Sequence, residues 1–178
     1  MHRVSSTRRT EAIDTYGKID VLVNNAGIMP IAPLALLKVD EWESMIDINI
    51  KGVLYGVAAA LPHMQSGHFI NIASVFGIKV FAPGGTVYCA TKAAVRTLTE
   101  GLRMETHADK IRCTIISPGA VDSELKQSTS DEASSKMVNE LYNEIVIRPL
   151  HRISEPSSPS VGVVKKSVYS RRSWGTWR

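Results

Sequence analysis

The spacing of apolar positions changes several times along the chain, and each change marks an element. Ala12, Ile13 and Tyr16 share one side of a helical segment over 8–17, which Gly17 is suited to stop. Val21, Leu22 and Val23 in "IDVLVNN" form a short β-branched run, the pattern of a strand buried on both faces of a parallel sheet. "NNAGIMPIAPL" reads as a loop through Gly27, Pro30 and Pro33. Trp42, Met45, Ile46, Val53, Leu54 and Val57 then recur at helical spacing. Asp40 is the expected N-cap of that helix, with Glu41 and Glu43 in its first turn and Pro62 near its end. "HFINIAS" predicts a second buried strand. A third helix is expected from about Gly84 to Thr106, with Val87, Ala90, Ala94, Leu98 and Leu102 as its apolar stripe. "IRCTIIS" predicts a third strand, ended by Pro118 and Gly119. Residues 126–147 are amphipathic and helix-compatible through Met137, Leu141 and Ile145.

Strands alternating with helices at this spacing mean βαβ units, hence an α/β fold with a parallel sheet and helices on its faces. The loops after the strands gather on one edge of such a sheet, where ligands bind. Asn24, Ser74, the start of the 84–106 helix and Pro118 all fall there.

Composition narrows the class. The chain has 178 residues, 44% hydrophobic and 21% charged, which suits one globular domain with a real core. No apolar run approaches the ~18 residues of a membrane helix, and "MHRVSSTRRT" has no apolar stretch of a secretory signal. Cys89 and Cys113 have no metal or disulfide spacing, and the five histidines are scattered, so no metal site is expected and the compartment reads as reducing and cytoplasmic. The net charge of +4 is unevenly placed. Residues 151–178 hold six of the 21 basic residues and one of the 17 acidic ones, so the first 150 carry 15 and 16. The basicity belongs to a Ser-rich tail, and neither a nucleic-acid nor a membrane partner is expected.

Tyr88 and Lys92 stand one helical turn apart and share a face. A tyrosine with its reference pKa of about 10 is a weak base at neutral pH. An ammonium within a few Å favours the phenolate, which lets the phenol move a proton near physiological pH. Ser74, after the second strand, can hold a carbonyl or alcohol oxygen nearby. The carbon of that oxygen would exchange a hydride with a nicotinamide cofactor. Tyr-x-x-x-Lys alone is also a common helix surface, so its neighbours must discriminate.

Five marks stand in order: "NNAG" at 24–27, Asn49 within "INIKG", "NIAS" ending at Ser74, "YCATK" at 88–92 and "PGAVDSEL" at 118–125. With them, roughly residues 10–147 resemble the short-chain dehydrogenase/reductase family. The resemblance implies a partial Rossmann-like, doubly wound parallel sheet in family order 3-2-1-4-5-6-7, and NAD or NADP as cofactor. It implies Tyr88 as general acid/base, and Lys92 as the group that lowers its pKa and holds the nicotinamide ribose. Ser74 would orient the substrate oxygen, and Asn49 would anchor a water that relays protons through Lys92. Asn24, Ala26 and Gly27 would shape the loop on the adenosine side, Asn24 largely by steadying backbone. Pro118, Gly119 and Val121 would lie against the nicotinamide, and Ser123 near the carboxamide, where the family usually has threonine. The substrate would be a small alcohol or carbonyl compound, and copies would pair through helices 40–65 and 84–106.

The family's opening TGxxxGxG turn does not occur in this sequence. The expectation is therefore a truncated family domain over 1–149, lacking the first strands, with an empty sheet edge beside residues 20–24 and poor NAD(P)H binding. A disordered basic tail over 150–178 is expected to follow. Over 143–149, "NEIVIRP" reads as lid sequence running into that of a last strand, and a frameshift after Pro149 would explain the tail equally well. Two functional readings follow. One is a dehydrogenase/reductase. The other is an inert fragment lacking the pyrophosphate site, at most an interaction module pairing with intact homologues.

Overall fold

The β-branched runs form the strands β1 (Val21–Asn24), β2 (Gly67–Ile72) and β3 (Ile111–Ile116). The structure is a computed structural model that describes residues 12–81, 83–121, 123–145 and 164–165. Val21 pairs with His68 and Asn24 with Asn71, while Gly67 pairs with Ile111 and Ile72 with Ile116, all in parallel register. The order β3-β2-β1 is that of a partial Rossmann-like α/β sheet, as expected.

Two long helices make the crossovers. Helix α1 (Val39–His63) joins β1 to β2, and α2 (Thr86–Glu105) joins β2 to β3. Both crossovers step the same way along the sheet, so right-handedness puts both helices on one face. Phe69 and Ile111 pack there against Ala60 of α1 and Leu102 of α2. Asn71, on the same face of β2, bonds Asn24 and Thr99. The strands are therefore not buried on both faces as their apolar runs predict. In β3 every second residue, Arg112, Thr114 and Ile116, is exposed, and Val21, Leu22 and Val23 are only half-buried.

Helix α1 departs from expectation in three ways. Its N-cap is Lys38, which makes no side-chain capping bond, and Asp40 lies inside the first turn. There its charge meets the positive end of the helix dipole. Next, residues Ile46–Lys51 form a π-helical stretch, a widened turn of the kind frequent at functional sites. Finally, α1 is long and apolar enough by length and composition to cross a membrane, although no single run of apolar residues suggests it. Here it covers β1, with Val53 and Ala60 buried.

The edge beside β1 is not empty. Val164–Lys165 form β4, parallel to β1, with Leu22 opposite Val164 and Val23 opposite Lys165. An open strand edge presents unpaired N–H and C=O groups that an extended β-branched segment can satisfy. The rest of the expected tail, and most of 143–149, lie outside the described residues. Helix α3 (Glu132–Ile145) follows a short 3-10 turn at Glu124–Ser128 and buries Val138 and Tyr142. Helical residues 12–16 end at Gly17, whose φ of +71° and bond to the Ile13 carbonyl (2.7 Å) match a glycine helix stop.

Candidate active site

Asn49, inside the π-helical stretch, is 1% exposed and fully engaged. Its Oδ1 accepts from the Ile28 N–H (2.9 Å), and its Nδ2 donates to the Ile28 carbonyl (3.0 Å) and to Thr91 Oγ1 (3.0 Å). Thr91 passes its own proton to the Tyr88 carbonyl (2.7 Å). Asn49 thus ties the loop after β1 to the turn of α2 that carries Tyr88. Gly27 lies against the same group: a Cβ there would stand 3.3 Å from both Asn49 Oδ1 and Lys92 Nζ.

Asn24 serves a different network. Its Nδ2 donates to Asn71 Oδ1 (2.8 Å), Asn71 donates to Thr99 Oγ1 (2.8 Å), and Thr99 donates to the Val95 carbonyl (2.7 Å). Gly56 leaves room for this, because a Cβ on it would come within 2.3 Å of Asn24 Oδ1. The chain of bonds locks β1, β2 and α2 together and uses a polar core in place of an apolar one.

Tyr88, Lys92 and Ser74 meet where β2 ends. Ser74 is buried, accepts from the Phe76 N–H (3.1 Å), and is hydrogen-bonded to the Tyr88 phenol. Lys92 Nζ lies 5.9 Å from the Tyr88 ring centroid and donates to the Ile72 carbonyl (2.9 Å). Burial sets both acid strengths. It pushes the Tyr88 phenol up to about 12, against a smaller lowering by Ser74. It brings the Lys92 ammonium down to about 8. The expected lowering of the tyrosine by the lysine is absent in this closed arrangement, because desolvation dominates both groups.

The lysine shift has a stability consequence. Lys92 titrates at about 8 in the fold and near its ordinary 10.5 when unfolded. Between those values the unfolded chain binds more protons, so stability contributed at this site rises with pH from 8 to 10.5. The penalty of burying the ammonium is complete below pH 8. Wild type should gain about 2–3 kcal/mol on Lys92→Met between neutral pH and the top of that window, at ~1.4 kcal/mol per unit. Urea unfolding of both proteins at the two pH values checks this; a constant difference would contradict it.

The segment 123–145 closes over these groups. Tyr88 shares one apolar cluster with Met29, Ile31, Met45, Val138 and Tyr142. Ser128 and Thr129 bond back to the backbone of 29–31. Pro118 accepts from the Val75 N–H (3.0 Å), which sets the loop after β3 beside Ser74. Ala26, Pro118 and Val121 are half-buried, while Gly119 is exposed, with nothing within 4 Å of where a Cβ would stand. Ser123 is exposed and caps the 3-10 turn, accepting from the Leu125 N–H (3.4 Å).

A family model described as short chain dehydrogenase matches residues 5–134. The chain belongs to the short chain dehydrogenase family. It is 50% identical over 161 residues to an uncharacterized oxidoreductase of Staphylococcus saprophyticus, covering 84% of this chain and 65% of the relative. An uncharacterized oxidoreductase of Listeria monocytogenes is 50% identical over 143 residues, covering 78% of this chain and 57% of the relative. The chain thus spans about two thirds or less of the length of these curated relatives. Among solved structures it is similar to the closed form of a serine dehydrogenase complexed with NADP+ (TM-score 0.70, 35% identity, 82% of this chain and 62% of that one). It is also similar to a gluconate 5-dehydrogenase from Burkholderia cenocepacia in complex with NADP and tartrate (TM-score 0.64, 35% identity, 72% and 51%).

For this short chain dehydrogenase chain, the fold brings Gly27, Asn49, Ser74, Tyr88 and Lys92 together and leaves Asn24 one layer below, bonded to Asn71. Thr91, Asn71 and Thr99 were not anticipated as site supports. Two of them lie inside quoted motifs, "YCATK" and "NIAS", and a buried polar residue on a helix or strand needs a partner. Tyr142 and Thr129 had no sequence signal, since their partners are about 54 and 100 residues away.

Proposed function

We propose that this site interconverts an alcohol and a carbonyl group, with Tyr88 as general acid/base and NAD or NADP as hydride carrier. The observation that carries the reading is the buried cluster of Tyr88, Ser74, Lys92 and Asn49 at the end of β2. A nicotinamide cofactor supplies or accepts the hydride when bound. Its ribose fits the group around Lys92. An ammonium has three N–H donors, one of which goes to the Ile72 carbonyl, and bare Gly27 leaves its backbone close to Lys92 Nζ. Pro118, Gly119, Val121 and Ser123 would border the nicotinamide, with Ala26 and Gly27 on the adenosine side. Asn24 would act through the backbone it steadies.

Ser74 Oγ holds the substrate oxygen beside the phenol. Tyr88 Oη gives its proton to that oxygen during carbonyl reduction and takes one during alcohol oxidation. The Asn49 side chain is consumed by Ile28 and Thr91, so its part in a proton relay would run through backbone carbonyls of the π-helical stretch, whose altered bonding leaves them open to water. Pairing of copies through α1 and α2 belongs to the same reading, and Ile46, Leu54, Tyr55 and Met104 stay exposed on those helices.

Absorbance at the reduced-nicotinamide band tests the proposal. The 178-residue chain is mixed with millimolar NAD or NADP and a panel of secondary and sugar alcohols. Turnover of at least one is expected. No turnover of any, in a chain whose circular dichroism shows it folded, would favour the reading as an interaction module.

A further inference from the structure

The segment just before α3 is joined to the loop after β1 by side-chain hydroxyls rather than by a strand ladder. Ser128 Oγ accepts from the Met29 N–H (2.9 Å) and donates to the Leu125 carbonyl (2.7 Å). Thr129 Oγ1 accepts from the Ile31 N–H (3.2 Å) and donates to the Met29 carbonyl (3.3 Å). One hydroxyl thus satisfies a backbone donor and a backbone acceptor two residues apart. Ser130 continues the row, accepting from Lys38 Nζ (3.1 Å) and bonding Glu41 Oε1. Helix α3 starts directly afterwards, with Asp131 Oδ2 accepting from the Ser134 N–H (2.9 Å).

Both ends of this junction belong to the cluster that covers the tyrosine. Met29 and Ile31 are buried on one side, Val138 and Tyr142 on the other, and Tyr88 lies among them at 4% exposure. Apolar packing of α3 alone would not set its register, because dispersion and hydrophobic contact are non-directional. The hydroxyl bonds do set it, because they are directional and short. They are also reversible at modest cost: when the segment lifts, water replaces each partner, and a net intramolecular hydrogen bond is worth little more than a few-fold in population.

We propose that Thr129, backed by Ser128, is a positioning residue that seats α3 over Tyr88 and so governs access to the substrate cleft. The proposal rests on the reading of Tyr88 as the reacting acid/base, but its test does not. Thr129→Val keeps the shape and removes the hydroxyl, Thr129→Ser keeps the hydroxyl, and Ser128→Ala removes the neighbouring bonds. The full chain and these variants are compared by amide hydrogen exchange with peptide resolution, and by O-acetylation of tyrosines with N-acetylimidazole. Exposed Tyr16 and Tyr55 serve as internal references.

Thr129→Val is expected to speed exchange over 29–31 and 132–142, and acetylation of Tyr88, by about fivefold or more, the scale of one lost hydrogen bond. Exchange of β2 should stay as in wild type, Thr129→Ser should restore slow labelling, and Ser128→Ala should speed the Met29 region. Wild-type labelling of Tyr88 in Thr129→Val would overturn the proposal, as would Thr129→Ser labelling as fast as the valine variant. If Thr129→Val loosens β2 as well, Ser128→Ala decides: regional opening with β2 intact supports the clamp, and wild-type exchange refutes it. None of these readouts needs turnover. A chain inert toward every alcohol but opened by Thr129→Val would therefore refute the proposed reaction and keep the clamp.

Discussion

Replacing Tyr88 with phenylalanine should lower kcat/KM for the alcohol–carbonyl reaction by roughly 10²–10⁴-fold, the usual contribution of a positioned general acid/base. The substitution removes one oxygen and leaves the ring in its cluster with Met29, Ile31, Val138 and Tyr142. The lost bond to Ser74 should cost only about 1 kcal/mol of stability, so the rate loss is not a folding loss. The two directions should also differ in pH dependence. Burial holds the Tyr88 phenol at about 12, so the proton needed for carbonyl reduction is present throughout the neutral range. Alcohol oxidation needs the phenolate, whose fraction grows tenfold per pH unit below that pKa. Oxidation should therefore rise with pH while reduction stays flat, and the lysine, falling to about 8 by burial, should add an inflection near that value. Initial rates in both directions across pH, for wild type and Tyr88→Phe, check these points. A variant keeping more than about a tenth of the rate would remove Tyr88 from the chemistry, since even the low end of acid/base catalysis is larger.

Asn49→Ala should be the most damaging substitution for stability, at about 3–5 kcal/mol. It deletes three hydrogen bonds from a residue that is 1% exposed. It leaves the Ile28 N–H and carbonyl without this partner, and each stranded buried polar group costs ~1–3 kcal/mol. A domain of this size has only about 5–15 kcal/mol in total, so the loss should be visible as a large drop in urea midpoint. Asn49→Asp keeps the acceptor for the Ile28 N–H and loses both donated bonds, and should fall between the two. A midpoint for Asn49→Ala close to wild type would mean that water takes over these bonds and that the loop after β1 is held by other contacts.

The stripe on α2 shows why part of the site was illegible. Apolar spacing pointed to Val87, Ala90, Ala94, Leu98 and Leu102 as the buried line. The buried line is Tyr88, Thr91, Lys92, Val95, Thr99 and Leu102, and Ala90 is exposed. Its spacing is equally helical, but four of its members are polar. Hydrophobic periodicity assumes that polar side chains avoid the core, and these are buried because Asn49, Asn71 and the Ile72 carbonyl meet them. The same reasoning explains Asp40. A capping residue is recognised by its type, but Lys38 took the cap because α1 starts one residue earlier than the acidic run suggested.

The amino-acid sequence by itself determined the element order, the parallel α/β class, the family and the pair Tyr88–Lys92, because each follows from local spacing or from a contiguous motif. Tertiary structure alone decided which face of the sheet is covered, since that depends on two crossovers stepping in one direction. It also decided that Val164–Lys165 take the edge beside β1 and that α3 closes over Tyr88. The acid strengths at the site belong to the same class. Whether the tyrosine is lowered by its lysine or raised by burial depends on how much water reaches them, and that water is excluded by residues from a distant part of the chain, Val138 and Tyr142.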